Sequence, residues 1–129
     1  MSQRDSLSTP ANVTAGESHP IRDVGKIDVT VFTDSCALYG IIIASPARGD
    51  AESQKRLIDK LEAYIGDFYS PSIAARYGAP SQDTCRITVA IHPDSDPVLF
   101  DLLEKCKLWV EENHIAFDVR TDVFEIPWQ

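Results

Sequence analysis

The sequence predicts an α+β fold, a two-layer sandwich in the order ββαβαβ with a mixed four-stranded sheet and two helices on one face. Three observations lead there. Residues 51–69 and 97–113 each carry apolar side chains at intervals of three, four and seven, the stripe of an amphipathic helix. Short segments around them are alternating or β-branched, as strands are. Each helical segment lies between two such strands, the pattern of a crossover between parallel strands. Right-handed crossovers made in one direction across a sheet put both helices on the same face.

The first strand is expected at residues 27–33, where Ile27, Val29, Val31 and Thr33 alternate with Asp28, Thr30 and Phe32. Turn-forming residues follow at 33–37, and residues 38–44 form a nearly continuous apolar run suited to a strand buried on both faces. These two segments read as a hairpin. The run 45–49 breaks the strand, and Asp50 is placed to cap the first helix. That helix carries Leu57, Ile58, Leu61, Tyr64, Ile65, Phe68 and Tyr69 on its stripe, with Glu52, Lys55, Arg56, Asp59 and Lys60 off it. Gly66 weakens its last turn, and Ser70-Pro71 ends it.

Residues 70–83 read as a long connection. The third strand is expected at 86–91, with Ile87, Val89 and Ile91 on one face, and His92-Pro93 closes it. Asp96 caps the second helix with Pro97 in its first position. The last strand spans 115–120, with Ile115, Phe117 and Val119 inward and Asp118 and Arg120 outward. By the same phase, Asp28, Thr30, Thr88 and Asp118 occupy the sheet face away from the helices. Phe32, Leu38, Ile42, Ala90 and Ala116 share that face, so a cover over it is expected.

Residues 1–20 contain no periodic apolar surface and read as a flexible tail; residues 21–129 read as one domain with an apolar C-terminal extension. In that extension Phe124, Ile126 and Trp128 alternate with polar or proline positions. They are expected to fold over the open face or to cross to a second copy in a homodimer.

Composition excludes several classes. At 129 residues the chain can bury a sufficient core without metal or disulfide. Twenty acids against twelve bases give a net charge of −8, unsuited to neutralising nucleic-acid phosphates. Residues 1–26 balance three bases with three acids, so residues 27–129 carry the whole net charge. The longest apolar run has eight residues, too short for a membrane span, and no secretory signal pattern opens the chain. Cys36, Cys85 and Cys106 lack the spacing of a redox pair or zinc framework, and free thiols fit a cytoplasmic address.

The stretch from residue 27 to about 91 resembles a family of small, uncharacterised bacterial proteins. Its pattern is a hairpin followed by an amphipathic helix with K-L-x-x-Y-I-x-x-F, here Lys60, Leu61, Tyr64, Ile65 and Phe68. The resemblance implies a small bacterial α+β domain and no mechanism.

Three constellations bear on function. His92, Asp94 and Asp96 follow a strand and precede a helix, where an alternating His–Asp set offers nitrogen and oxygen ligands to a small ligand or divalent metal. Turn and capping chemistry accounts for the same residues, and no metal or cofactor is expected. Ser35 or Cys36 in the hairpin turn, with His92 or His114 as base, lacks the local signature of a hydrolase, so no catalytic residue is assigned. Arg76 and Tyr77 carry the side chains enriched at binding hot spots. The reading is therefore a small acidic cytoplasmic protein, a non-enzymatic interaction or oligomerisation domain. Its partner is another protein or itself, neither nucleic acid nor membrane. The alternative is a small-ligand or metal-binding domain, with or without enzymatic activity, centred on the His92–Asp96 loop.

Overall fold

The computed structural model describes residues 19–22 and 24–122. The hairpin is β1 (Val29–Phe32) and β2 (Ala37–Ile43), antiparallel, with Phe32 opposite Ala37 across the Thr33–Cys36 turn. Strand β3 (Cys85–Ile91) lies parallel to β2, and β4 (Ala116–Arg120) lies parallel to β3. The order β1-β2-β3-β4 makes one mixed four-stranded sheet among the described residues. Helices α1 (Ala51–Phe68) and α3 (Pro97–Glu112) are the crossovers, and both pack on the same face. The two-layer sandwich of the sequence reading is the observed fold.

The core sits between these layers. From the sheet come Tyr39, Ile41, Ile43, Ile87, Val89, Ile91 and Phe117; from the helices come Leu57, Leu61, Tyr64, Phe68, Leu99, Leu103 and Val110. Tyr39 stacks on Phe68 with ring centroids 4.3 Å apart and meets Tyr64 edge-on at 5.8 Å. Asp50 caps α1 by accepting from Ser53 N at 2.9 Å, and Asp96 caps α3 by accepting from Val98 N at 2.9 Å.

Several local expectations change. The 70–83 connection contains a further short helix, α2 (Pro71–Tyr77), which buries Ile73. Pro71, which ends α1, also supplies the first position of α2, where its missing N–H costs nothing. In β1 the phase is inverted. Thr30 pairs with Tyr39 and Phe32 with Ala37, so Thr30 and Phe32 lie on the helix side, and Val29 and Val31 lie on the open face. Asp28 likewise faces the helix layer, where Lys60 meets it. Lys60, expected off the stripe, is fully buried. Ile58, Tyr69, Val98 and Val119 lie at the margins of their apolar stripes and remain exposed.

The outer boundaries of the reading fall mostly beyond the described residues. Tail residues 1–18 and the extension residues Phe124, Ile126 and Trp128 lie outside them. At the inner end of the tail, His19 Nδ1 accepts from Ile21 N at 3.0 Å, and Ile21 is fully buried in the core.

Candidate functional site

Among the described residues, the helices leave one face of the sheet open. It divides along its length. Val29 and Val31 from β1, Leu38 and Ile42 from β2, and Ala90 from β3 make an apolar half. Arg86 and Thr88 from β3, with Asp118 and Arg120 from β4, make a polar half. Gly40 lies at the centre: a Cβ there would stand 3.2 Å from Val29 Cβ. Its bare backbone leaves a shallow groove of about 430 Å³ across the face. The polar half is already ordered. Asp118 Oδ1 accepts from Thr88 Oγ1 at 2.7 Å and from Arg86 Nη1 at 3.1 Å, and Arg120 pairs with Asp122 at 2.7 Å.

Arg76 and Tyr77 fall in the last turn of α2 and clasp the hairpin. Tyr77 Oη donates to Thr33 O at 2.5 Å, and the Arg76 guanidinium lies 5.5 Å from the Phe32 ring and 5.3 Å from the Tyr77 ring. Their polar atoms and ring faces are thus engaged within the chain. The inverted phase of β1 sets Phe32 beneath Arg76.

The His92–Asp96 loop serves the fold in a comparable way. Its backbone ties to the loop after β2: His92 N donates to Ile43 O at 2.8 Å and Asp96 N to Ala47 O at 2.9 Å. Ser95, 4% exposed, accepts from Ala47 N through Oγ at 3.1 Å. His92 Nδ1 accepts from Asp94 N at 3.1 Å, Asp94 is exposed, and Asp96 is the α3 cap. Among the described residues, no group of three or more His, Cys, Asp and Glu could hold a metal ion. In open α/β sheets the ligand crevice opens where successive crossovers pass to opposite faces. Here both crossovers lie on one face, so the two loops run side by side and bond to each other.

The two candidate bases lie at opposite ends of the sheet. His92 follows β3 at the end far from Cys36, about 26 Å away for eight residues at the strand rise, whereas His114 precedes β4 at the same end as Cys36, with β3 between their strands. Thr33 Oγ1 accepts from Ser35 N at 3.3 Å and from Cys36 N at 3.0 Å, which makes both of them part of the turn. Cys85 and Cys106 are buried, and burial raises the Cys106 thiol pKa.

One polar cluster was hidden from sequence reasoning. Lys60 Nζ donates to Asp28 Oδ1 at 2.9 Å and to Lys26 O at 3.1 Å. Asp28 Oδ2 accepts from Ile42 N at 3.0 Å, extending the β1–β2 pairing by one side-chain bond. Tyr64 Oη accepts from Asp28 N at 2.8 Å and donates to Gly40 O at 3.1 Å. The cluster fastens the segment before β1 to α1 and β2. The only signal for it was period: position 60 lies three residues after Leu57 and four before Tyr64.

No family model, curated protein or solved structure matches the chain. Among the described residues, no helix is long and apolar enough to cross a membrane.

Proposed function

We propose that this chain is a non-enzymatic protein-interaction domain that self-associates through the open face of its sheet. The observation that carries the reading is the one-sided helix layer: among the described residues no element covers the apolar half, where Val31 is exposed and Val29, Leu38 and Ile42 are half-buried. A second copy suits this face better than an oppositely charged partner does, because the polar half holds both signs. Arg86 and Arg120 stand beside Asp118 and Asp122, although the chain as a whole carries −8. A two-fold axis running across the strands lays the apolar half of one copy on the same half of the other. The mixed charges then meet their own kind of mixture, and the net acidity is kept away from the contact.

The expected strength follows from size. Four strands at about 4.8 Å spacing and about 20 Å length give a face of roughly 400 Å², so two copies bury about 800 Å² between them, below the roughly 1,200 Å² of a stable specific contact and in the range of transient ones. The dimer is therefore weak and reversible. Three free thiols suit a reducing compartment, which supports a cytoplasmic address for the dimer.

Sedimentation velocity across a concentration series tests the reading. The unsubstituted chain should move from monomer towards dimer in the high micromolar range. Leu38→Glu and Val31→Glu should each remain monomeric with unchanged far-UV circular dichroism. A chain that stays monomeric throughout, or variants that associate as it does, would overturn the proposal.

A further inference from the structure

Ahead of β1, two polar side chains hold one buried residue in place. Ile21 is fully buried; its N–H donates to His19 Nδ1 at 3.0 Å, and its carbonyl accepts from Arg56 Nη1 at 3.2 Å. On the other edge of its ring, His19 Nε2 lies 3.4 Å from Ser53 Oγ. Ser53 sits in the first turn of α1, fully buried, and its N–H donates to Asp50 Oδ1 at 2.9 Å. The Ser53 hydroxyl donates to Asp50 as well. That bond, with the N–H bond beside it, holds the Asp50 carboxyl below its ordinary range.

The direction of these bonds fixes the state of the ring. A neutral imidazole carries one N–H, and Nδ1 is already an acceptor, so the proton is on Nε2. Ser53 Oγ gives its own proton to Asp50 and accepts from Nε2. The series thus runs one way, from the Ile21 N–H through His19 and Ser53 to the Asp50 carboxylate. We propose that His19 is a pH-operated latch, which holds residues 19–22 to the domain while its ring is neutral and loosens them when Nδ1 takes a proton. The inference does not rest on the self-association reading.

A protonated ring sets two donors face to face and strands the buried Ile21 N–H without an acceptor. The charged surroundings do not offset this. Among the described residues, Arg48 from the loop after β2, the cap Asp50 and Glu52 of α1 share a hollow with the ring, and Arg56 reaches Ile21 beside it. Arg22, the charged neighbour on the same segment, is exposed. Glu52 pairs with Arg56 at 3.3 Å. Asp50 attracts a charged ring, and Arg48, which acts on Asp50, repels one. Arg48, Asp50 and Glu52 are exposed, so solvent screens what remains of their balance. The lost bond is buried, and it decides the direction. The loosening stops short of β1, because Lys60 Nζ holds Lys26 O at 3.1 Å and Asp28 Oδ1 at 2.9 Å with no histidine involved.

Amide hydrogen exchange of the full chain, read by nuclear magnetic resonance at Ile21, tests the latch, with each rate divided by the intrinsic rate at that pH. Histidines ordinarily change charge between about pH 5 and 8. Across that range, from high to low pH, protection of the Ile21 N–H should fall about five- to tenfold, the loss of one hydrogen bond. Protection of buried Val89 in β3 should change less, which separates the latch from unfolding of the sheet. His19→Asn should keep Ile21 protected at both ends of the range, because an asparagine oxygen accepts from the N–H two residues on and does not titrate. Nitrogen chemical shifts of the neutral His19 ring should place its proton on Nε2. Protection that stays constant while the ring titrates, an equal fall in His19→Asn, or a neutral ring protonated at Nδ1 would each overturn the proposal.

Discussion

Lys60 illustrates what a single residue can conceal. Its helical position belongs to the inner face, but an ammonium is ordinarily solvated, and only a carboxylate elsewhere in the chain makes its burial tolerable. That partner, Asp28, lies 32 residues away, so no local pattern announces it. Its side chain is 8% exposed and that of Lys60 is 0%, so removing one partner strands a buried charge. Asp28→Ala should therefore cost about 3–5 kcal/mol, whereas Asp28→Ala combined with Lys60→Met should cost less than the two single changes summed. A double-mutant cycle by urea denaturation measures this.

Two tyrosines give a second test at this scale. Burial raises the pKa of Tyr39, and its hydrogen bond to Asp67 raises it further; burial also raises that of Tyr64. The folded chain therefore keeps both phenols protonated, while the unfolded chain ionises them near the ordinary value of 10.0. The unfolded state then holds fewer protons, so stability should fall as pH rises above that value. Thermal melts across alkaline pH should show the decline, and Tyr39→Phe should reduce it.

At the scale of elements, the long periodic segments were legible and the short ones were not. Helices α1 and α3 announced themselves through stripes several turns long and through Asp50 and Asp96 at their starts. Helix α2 spans seven residues and buries one of them, Ile73, too little for a period to emerge. Strand β1 has four residues with apolar side chains on both faces, so alternation alone did not assign its phase; the turn at Thr33–Cys36 did. The end of α3 carries a strained position. His114 has φ 65°, and its N–H donates to Glu111 O while that of Ile115 donates to Val110 O. This is a Schellman closure, with Ile115 and Val110 both fully buried. Glycine adopts that backbone without a Cβ clash. His114→Gly should therefore stabilise the fold by about 0.5–1 kcal/mol, read as a higher urea midpoint at unchanged slope.

The whole molecule was legible because handedness left little choice: two crossovers in one direction require one helix layer. The same rule accounts for the side-by-side loops at His92–Asp96 and for the uncovered face opposite. What occupies that face was not legible, because alternation marks a side chain's side and not its neighbour. The central claim is that a second copy sits on the apolar half of the open face. Isotope-filtered nuclear Overhauser spectroscopy on a mixture of labelled and unlabelled chains tests it most directly. Contacts between copies should arise from the methyl groups of Val29, Val31, Leu38 and Ile42. Intermolecular contacts confined to the helix layer, for example to exposed Leu108, or none at concentrations where the chain is expected to pair, would contradict it.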